Sequence, residues 1–170
     1  DLNRVLLLRP DHRVVLLNRR NILRRIVSNQ MSMQTRLWSL RQEGDRDSIS
    51  DFEFQEINKK AVKWQLRRER KLIKSYRRDL TRYKIVFVDL WYEDLFDPAL
   101  TAEDRHQAIG RIVDFMGRDT DPEAMDLDEV NRLLDPSSTK MNTTDTYLRV
   151  PNIHEIEKRF GSNKTGWLFK

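Results

Sequence analysis

Two short apolar runs, Val14-Val15-Leu16-Leu17 and Ile85-Val86-Phe87-Val88, constrain this chain more than any other feature. Unbroken runs of this length, rich in β-branched and aromatic residues, read as strands buried on both faces of a sheet. The expected strands are Arg13–Arg19 and Lys84–Leu90. Helical periodicity fills the sequence between them, and strands alternating with helices imply an α/β fold with a parallel sheet. Two strands make a poor sheet alone. The remainder is expected either among strands not recognised here or upstream of Asp1. The first residue is Asp rather than Met, which fits a fragment or a processed chain.

The first helix is expected over Asn21 to about Arg41, with Ile22, Ile26, Met33, Leu37 and Leu40 on its apolar side. A polar break follows from Gly44 to Ser50. A long helix is expected from about Phe52 to Arg82, capped by Ser50 or Asp51. Its apolar stripe runs through Ile57, Ala61, Trp64, Leu66, Ile73, Tyr76 and Leu80, and its other face is Arg and Lys. Thr101 opens another helix, with Glu103 and Asp104 in the first turn and Gly117 at the end. Its buried face is expected at Ile109, Ile112, Val113 and Met116. A short helix is expected near Leu127 to Leu134, inside a loop-rich stretch. Asn152 with Glu155 resembles a capping box for a last helix, which Gly161 stops. The whole reads as one domain over 1–170, with flexible breaks near 43–50 and 118–151.

Composition removes several classes. The chain has 170 residues, 38% hydrophobic and 35% charged, with four Trp and seven Phe, which argues for a packed core rather than disorder. Cysteine is absent, so a disulfide framework, a thiolate zinc site and a Cys nucleophile are excluded for this chain. No apolar run reaches membrane-spanning length. The net charge of +5 conceals an asymmetry: residues 1–84 hold 22 Lys and Arg against 10 Asp and Glu, and residues 85–170 hold 10 against 17. A basic first half attracts anions. The run from Lys59 to Arg82 reads first as a solvated helix face paired with the acidic second half, and second as a grip for RNA or another polyanion.

The stretch from Leu16 to Ser28 carries the strongest site signal. A buried strand ends in Arg19-Arg20 and turns at once into a helix. Parallel sheets bind ligands at the carboxyl ends of their strands. A helix amino end and nearby guanidinium forks suit phosphate. Ser28 lies two turns along the helix, with a hydroxyl able to donate to the same anion. The result is a candidate phosphate site of modest specificity.

Arg20-Asn21 followed by Ser28, with Ile26 and Val27 before it, resembles the 3′-phosphate motif of sulfotransferases that use 3′-phosphoadenosine-5′-phosphosulfate. The stretch Met33 to Trp38 is similar to the following helix in bacterial-type members. A second block, Phe87 to Leu95 with its Tyr92-Glu93-Asp94, resembles a later strand of the same family. Asp97-Pro98 and the helix end Asp114-Phe115-Met116-Gly117 continue that likeness. It covers residues 13–117. It implies a fold like that of P-loop kinases, a parallel sheet flanked by helices, incomplete at its amino end. It also implies transfer of a sulfuryl group from this co-substrate to a hydroxyl or amine, with no metal. The 3′-phosphate ligands by position are Arg20 and Ser28, with Arg19 in reserve.

The sequence departs from the family in places. The family's Gly/Ser/Thr-rich phosphate loop and its catalytic base precede the Arg…Ser motif, and nothing in Asp1 to His12 resembles that loop. A kinase-type phosphate loop is missing too. His12, His106 and His154 fall at no matching position and read as surface histidines. Glu93 and Asp94 read as structural, since neighbours on a strand point apart. Asp126, Asp128 and Glu129 lack the Gly and terminal Glu of a calcium loop. Lys164-Thr165-Gly166-Trp167 echoes a late nucleotide-closing segment only faintly and stays unassigned. A relative that keeps the fold for protein contacts without catalysis is the third reading. No residue names the acceptor, for which carbohydrate and lipid are both within the family's range.

Overall fold

In the computed structural model, residues 12–38, 49–97, 99–117 and 143–169 are described, together with Asp128, Arg132 and Leu134. The expected break near 43–50, most of the stretch 118–151 and most of the short helix at Leu127–Leu134 lie outside these residues, as does Leu40. The protein is a helix-rich mixture of α and β structure. The elements are β1 (Val14–Asn18), α1 (Ile22–Thr35), α2 (Lys59–Arg82), β2 (Phe87–Trp91), α3 (Glu93–Phe96), α4 (Ala102–Met116), α5 (Thr144–Leu148) and α6 (Ile153–Phe160). The chain divides into two units, Asp1–Arg19 with Arg70–Ser138, and Arg20–Glu69 with Thr139–Lys170.

The first unit is built on a parallel pair of strands. β1 and β2 run side by side, from Val14 opposite Phe87 to Asn18 opposite Trp91. Leu90 is buried with Leu95 and Ala108, and Phe96, Ile109 and Ile112 pack onto them. On the other sheet face, Asp89 accepts from Asn18 Nδ2 at 2.7 Å and from Arg77 Nε and Nη2 at 3.2 and 3.1 Å. β1 is not buried on both faces, contrary to expectation. Leu17 is 56% exposed and Val15 38%, while Val14 and Asn18 are buried. β2 starts at Phe87 rather than Lys84, because Lys84 is the left-handed residue that ends α2. Thr101 and Asp104 form a complete capping box for α4, and Gly117 closes it with φ +67°. Met116, expected in the core, is exposed at the last turn.

The second unit has its own apolar core. Leu23, Ile26, Val27 and Met31 of α1 meet Phe54, Ile57, Val62, Leu66, Tyr147, Ile153 and Ile156. The buried side of α1 is thus turned from the expected one, and Met33 faces solvent. α1 also stops at Thr35, where Arg36 takes a left-handed backbone with φ 61° and Thr35 Oγ1 accepts from Leu37 N.

The long helix begins at Lys59, seven residues later than expected, with Asn58 and not Asp51 as its cap. Asn58 Oδ1 accepts from Lys60 N at 2.9 Å and Ala61 N at 3.2 Å. Residues 52–58 form neither helix nor strand, and side-chain amides bond the backbone of Gln55 and Ile57. Gln34 accepts from Gln55 N and donates to its carbonyl, at 2.9 and 3.2 Å. Asn152 does the same for Ile57, at 3.0 and 2.9 Å. Each carboxamide offers one donor and one acceptor in a plane, as a neighbouring strand would. Asn152 therefore makes no side-chain cap bond to α6, and the expected capping box is not formed.

Candidate functional site

The parallel register brings the carboxyl ends of β1 and β2 level. Tyr92 N donates to the Asn18 carbonyl at 2.8 Å, which ties the chain leaving β2 to the end of β1. Arg19 follows. Its guanidinium lies 4.3 Å from the centre of the Tyr92 ring, and its Nε is 3.9 Å from Glu93 Oε1. The Tyr92 ring also stacks on Phe96, with centroids 4.5 Å apart. Arg19 is thus engaged with the Tyr-Glu-Asp block rather than left open beside the strand end. Glu93 and Asp94 occupy the first turn of α3, not a strand as expected. Glu93 acts there as the counter-charge of Arg19.

In the second unit, Arg20 is exposed and α1 begins two residues later. The amino end of α1 differs from the expected anion cradle. An open helix terminus would offer four N–H groups to an anion. Here Ile22 N donates to the Arg20 carbonyl, Leu23 N to the Thr165 carbonyl, Arg24 N to Asn21 Oδ1 and Arg25 N to the Asn21 carbonyl. All four have protein acceptors.

The closing segment of the chain supplies part of this arrangement. Asn21 Nδ2 donates to the Trp167 carbonyl at 2.6 Å, and Arg24 donates to the Leu168 carbonyl through Nε at 3.0 Å and Nη2 at 2.7 Å. Gly166 has φ +84°, and a Cβ there would come within 2.7 Å of Asn21 Cα. Only glycine lets the turn lie this close. The Lys164-Thr165-Gly166-Trp167 stretch, unassigned from sequence, therefore sits on the first turn of α1. A Gly before a late Trp was the available signal, but nothing in the sequence paired it with Asn21.

Ser28 lies seven residues after Asn21, on the same side of α1 and about 9 Å along its axis from Ile22. It is half-buried, and its Oγ is 2.8 Å from the hydroxyl of Tyr147. Tyr147 is buried and belongs to the core. It sits in the short helix α5 and showed no periodicity by which sequence reasoning could find it. Arg25 pairs with Glu69 at 2.6 Å. Arg24 and Arg25 are thus engaged within the protein, while Arg20 is exposed and the Ser28 hydroxyl is bonded to Tyr147. Among the described residues, no group of three or more His, Asp or Glu side chains is arranged to hold a metal ion. Set against models of protein families, curated proteins and solved structures, the chain matches none.

Proposed function

We propose that this chain carries the 3′-phosphate-binding part of a sulfotransferase that uses 3′-phosphoadenosine-5′-phosphosulfate. The observation that carries the reading lies within the second unit, where the half-buried Ser28 hydroxyl stands two turns along α1 from the exposed Arg20. The first sequence block that resembles the family begins at Arg20, two residues after β1 ends, and the second runs along β2 from Phe87 into Tyr92-Glu93-Asp94.

Arg20 takes the 3′-phosphate through its guanidinium fork, a charge-assisted and geometrically selective contact. Ser28 donates its hydroxyl proton to the same group when the Tyr147 hydroxyl donates to Ser28 Oγ. Arg19 holds the Tyr92-Glu93 turn in place. In the reaction, the acceptor oxygen or nitrogen forms a bond to sulfur as the bond to the bridging phosphate oxygen breaks. The acceptor proton passes to a base, and adenosine 3′,5′-bisphosphate leaves.

Thermal unfolding with and without adenosine 3′,5′-bisphosphate tests this. A ligand that binds only the folded state raises the midpoint by mass action. The unmodified protein is expected to gain several degrees at saturation. Arg20→Ala is expected to lose the gain and Ser28→Ala most of it. An unchanged midpoint for the unmodified protein contradicts the reading.

A further inference from the structure

The outward face of α2 carries a charge pattern that the nucleotide site does not use. Lys60, Lys63, Arg67, Lys71, Lys74 and Arg78 are spaced by threes and fours and all are exposed. At 100° per residue they fall within an arc of about 80°, and at 1.5 Å per residue they span about 27 Å of one helix. The apolar residues Val62, Leu66 and Leu80 lie on the opposite side and are buried. The helix holds two carboxylates. Glu69 is paired with Arg25 and Asp79 is buried, so neither interrupts the basic arc. Among the described residues, the ion pairs of α2 are Lys59–Glu155, Arg77–Asp89, Arg78–Asp79 and Arg25–Glu69, and five of the six arc residues belong to none of them.

Charge alone suits any linear polyanion. The aromatic residues separate the alternatives. Trp64, expected in the buried stripe, is instead 57% exposed beside the arc, with the Arg68 guanidinium 5.1 Å from its ring centre. Tyr83, just past the helix end, is 47% exposed with Arg82 at 5.8 Å. Cations that follow a phosphate backbone, combined with exposed rings on which bases stack, are the recurring means of holding single strands. A sulfated polysaccharide or an acidic bilayer answers the charges but brings no aromatic ring to Trp64.

We propose that the outward face of α2 binds single-stranded nucleic acid, phosphates along Lys60 to Arg78 and a base on Trp64. Fluorescence anisotropy with a labelled oligouridylate tests it, against an abasic oligomer of equal length and charge, heparin, and phosphatidylserine vesicles. The oligouridylate is expected to bind, with log K falling against log salt at a slope of about −4, roughly 0.7 for each of six phosphates. The abasic oligomer is expected to bind about tenfold more weakly, as stacking on one ring implies. Trp64→Ala is expected to bring the oligouridylate down to the abasic level, and joint Lys63→Glu, Arg67→Glu and Lys71→Glu to lower affinity at least a hundredfold. Equal affinity for native and abasic oligomers overturns the proposal, and so does binding of heparin or vesicles without the oligouridylate. The abasic comparison uses the unmodified protein, so its outcome does not depend on any variant folding.

Discussion

Asn152 stands at the amino end of α6, where an asparagine ordinarily caps its own helix. It is buried, and its carboxamide bonds both backbone groups of Ile57 instead. Removing it leaves a buried N–H and a buried C=O unsatisfied at once. Asn152→Ala is expected to lower the unfolding free energy by about 2–4 kcal/mol, at 1–3 kcal/mol for each abandoned group with partial relaxation. Urea denaturation checks it, and a loss below about 0.5 kcal/mol means that water replaces the amide. Glu155, three residues on, is on the surface. The hydrogen bond from Lys59 Nζ holds its carboxyl below the usual glutamate range, with the charges of Lys59 and Arg159 adding to the effect and desolvation opposing it. A carboxyl whose folded-state pKa is depressed stabilises above its unfolded value, and loses that contribution as pH falls through the folded one. The advantage of the unmodified protein over Glu155→Gln is therefore expected to be present at neutral pH and to vanish below the glutamate range. Paired melting curves across that interval check the sign.

At the scale of elements, helix ends separate what could be read from what could not. The end of α4 was legible because its signals are local: Thr101 and Asp104 three apart, then Gly117. The start of α2 was not, because Asp51 is as good a cap by residue type as Asn58. The choice is made by Gln34 and Asn152, far away in sequence, which bond the backbone of Gln55 and Ile57. Trp64 misled for a related reason. With the start misplaced, its stripe was drawn from Ile57, which is not helical. The far end of α2 closes with Ile85 N donating to the Leu80 carbonyl and Lys84 N to that of Thr81, around Lys84 at φ 54°. This six-to-one and five-to-two pattern normally has glycine at the left-handed position. Lys84→Gly is expected to raise stability by up to about 1 kcal/mol, the cost of a Cβ in that conformation less the entropy glycine adds to the unfolded chain. A shift of the urea midpoint to higher concentration checks it, and a shift to lower concentration contradicts the strain argument.

For the whole molecule, a parallel sheet was readable from two apolar runs and the helices between them, because strands that alternate with helices leave few alternatives. The charge asymmetry was readable too, though its meaning divides. Lys59 and Arg77 do find carboxylates of the acidic second half, Glu155 and Asp89, while among the described residues most of the basic arc on α2 does not. In the candidate site, Arg19, Arg20 and Ser28 were singled out through a motif. The Tyr147 contact and the turn at Gly166 were not, because both join residues more than a hundred positions apart. The claim on which the functional reading rests is that Arg20 and Ser28 recognise a phosphate on the ribose 3′ position. Calorimetric titration with adenosine 3′,5′-bisphosphate and, separately, with adenosine 5′-monophosphate addresses it most directly. The bisphosphate is expected to bind at least tenfold more tightly, a preference that Arg20→Ala abolishes. Equal affinity for the two nucleotides, or a preference that survives Arg20→Ala, contradicts it.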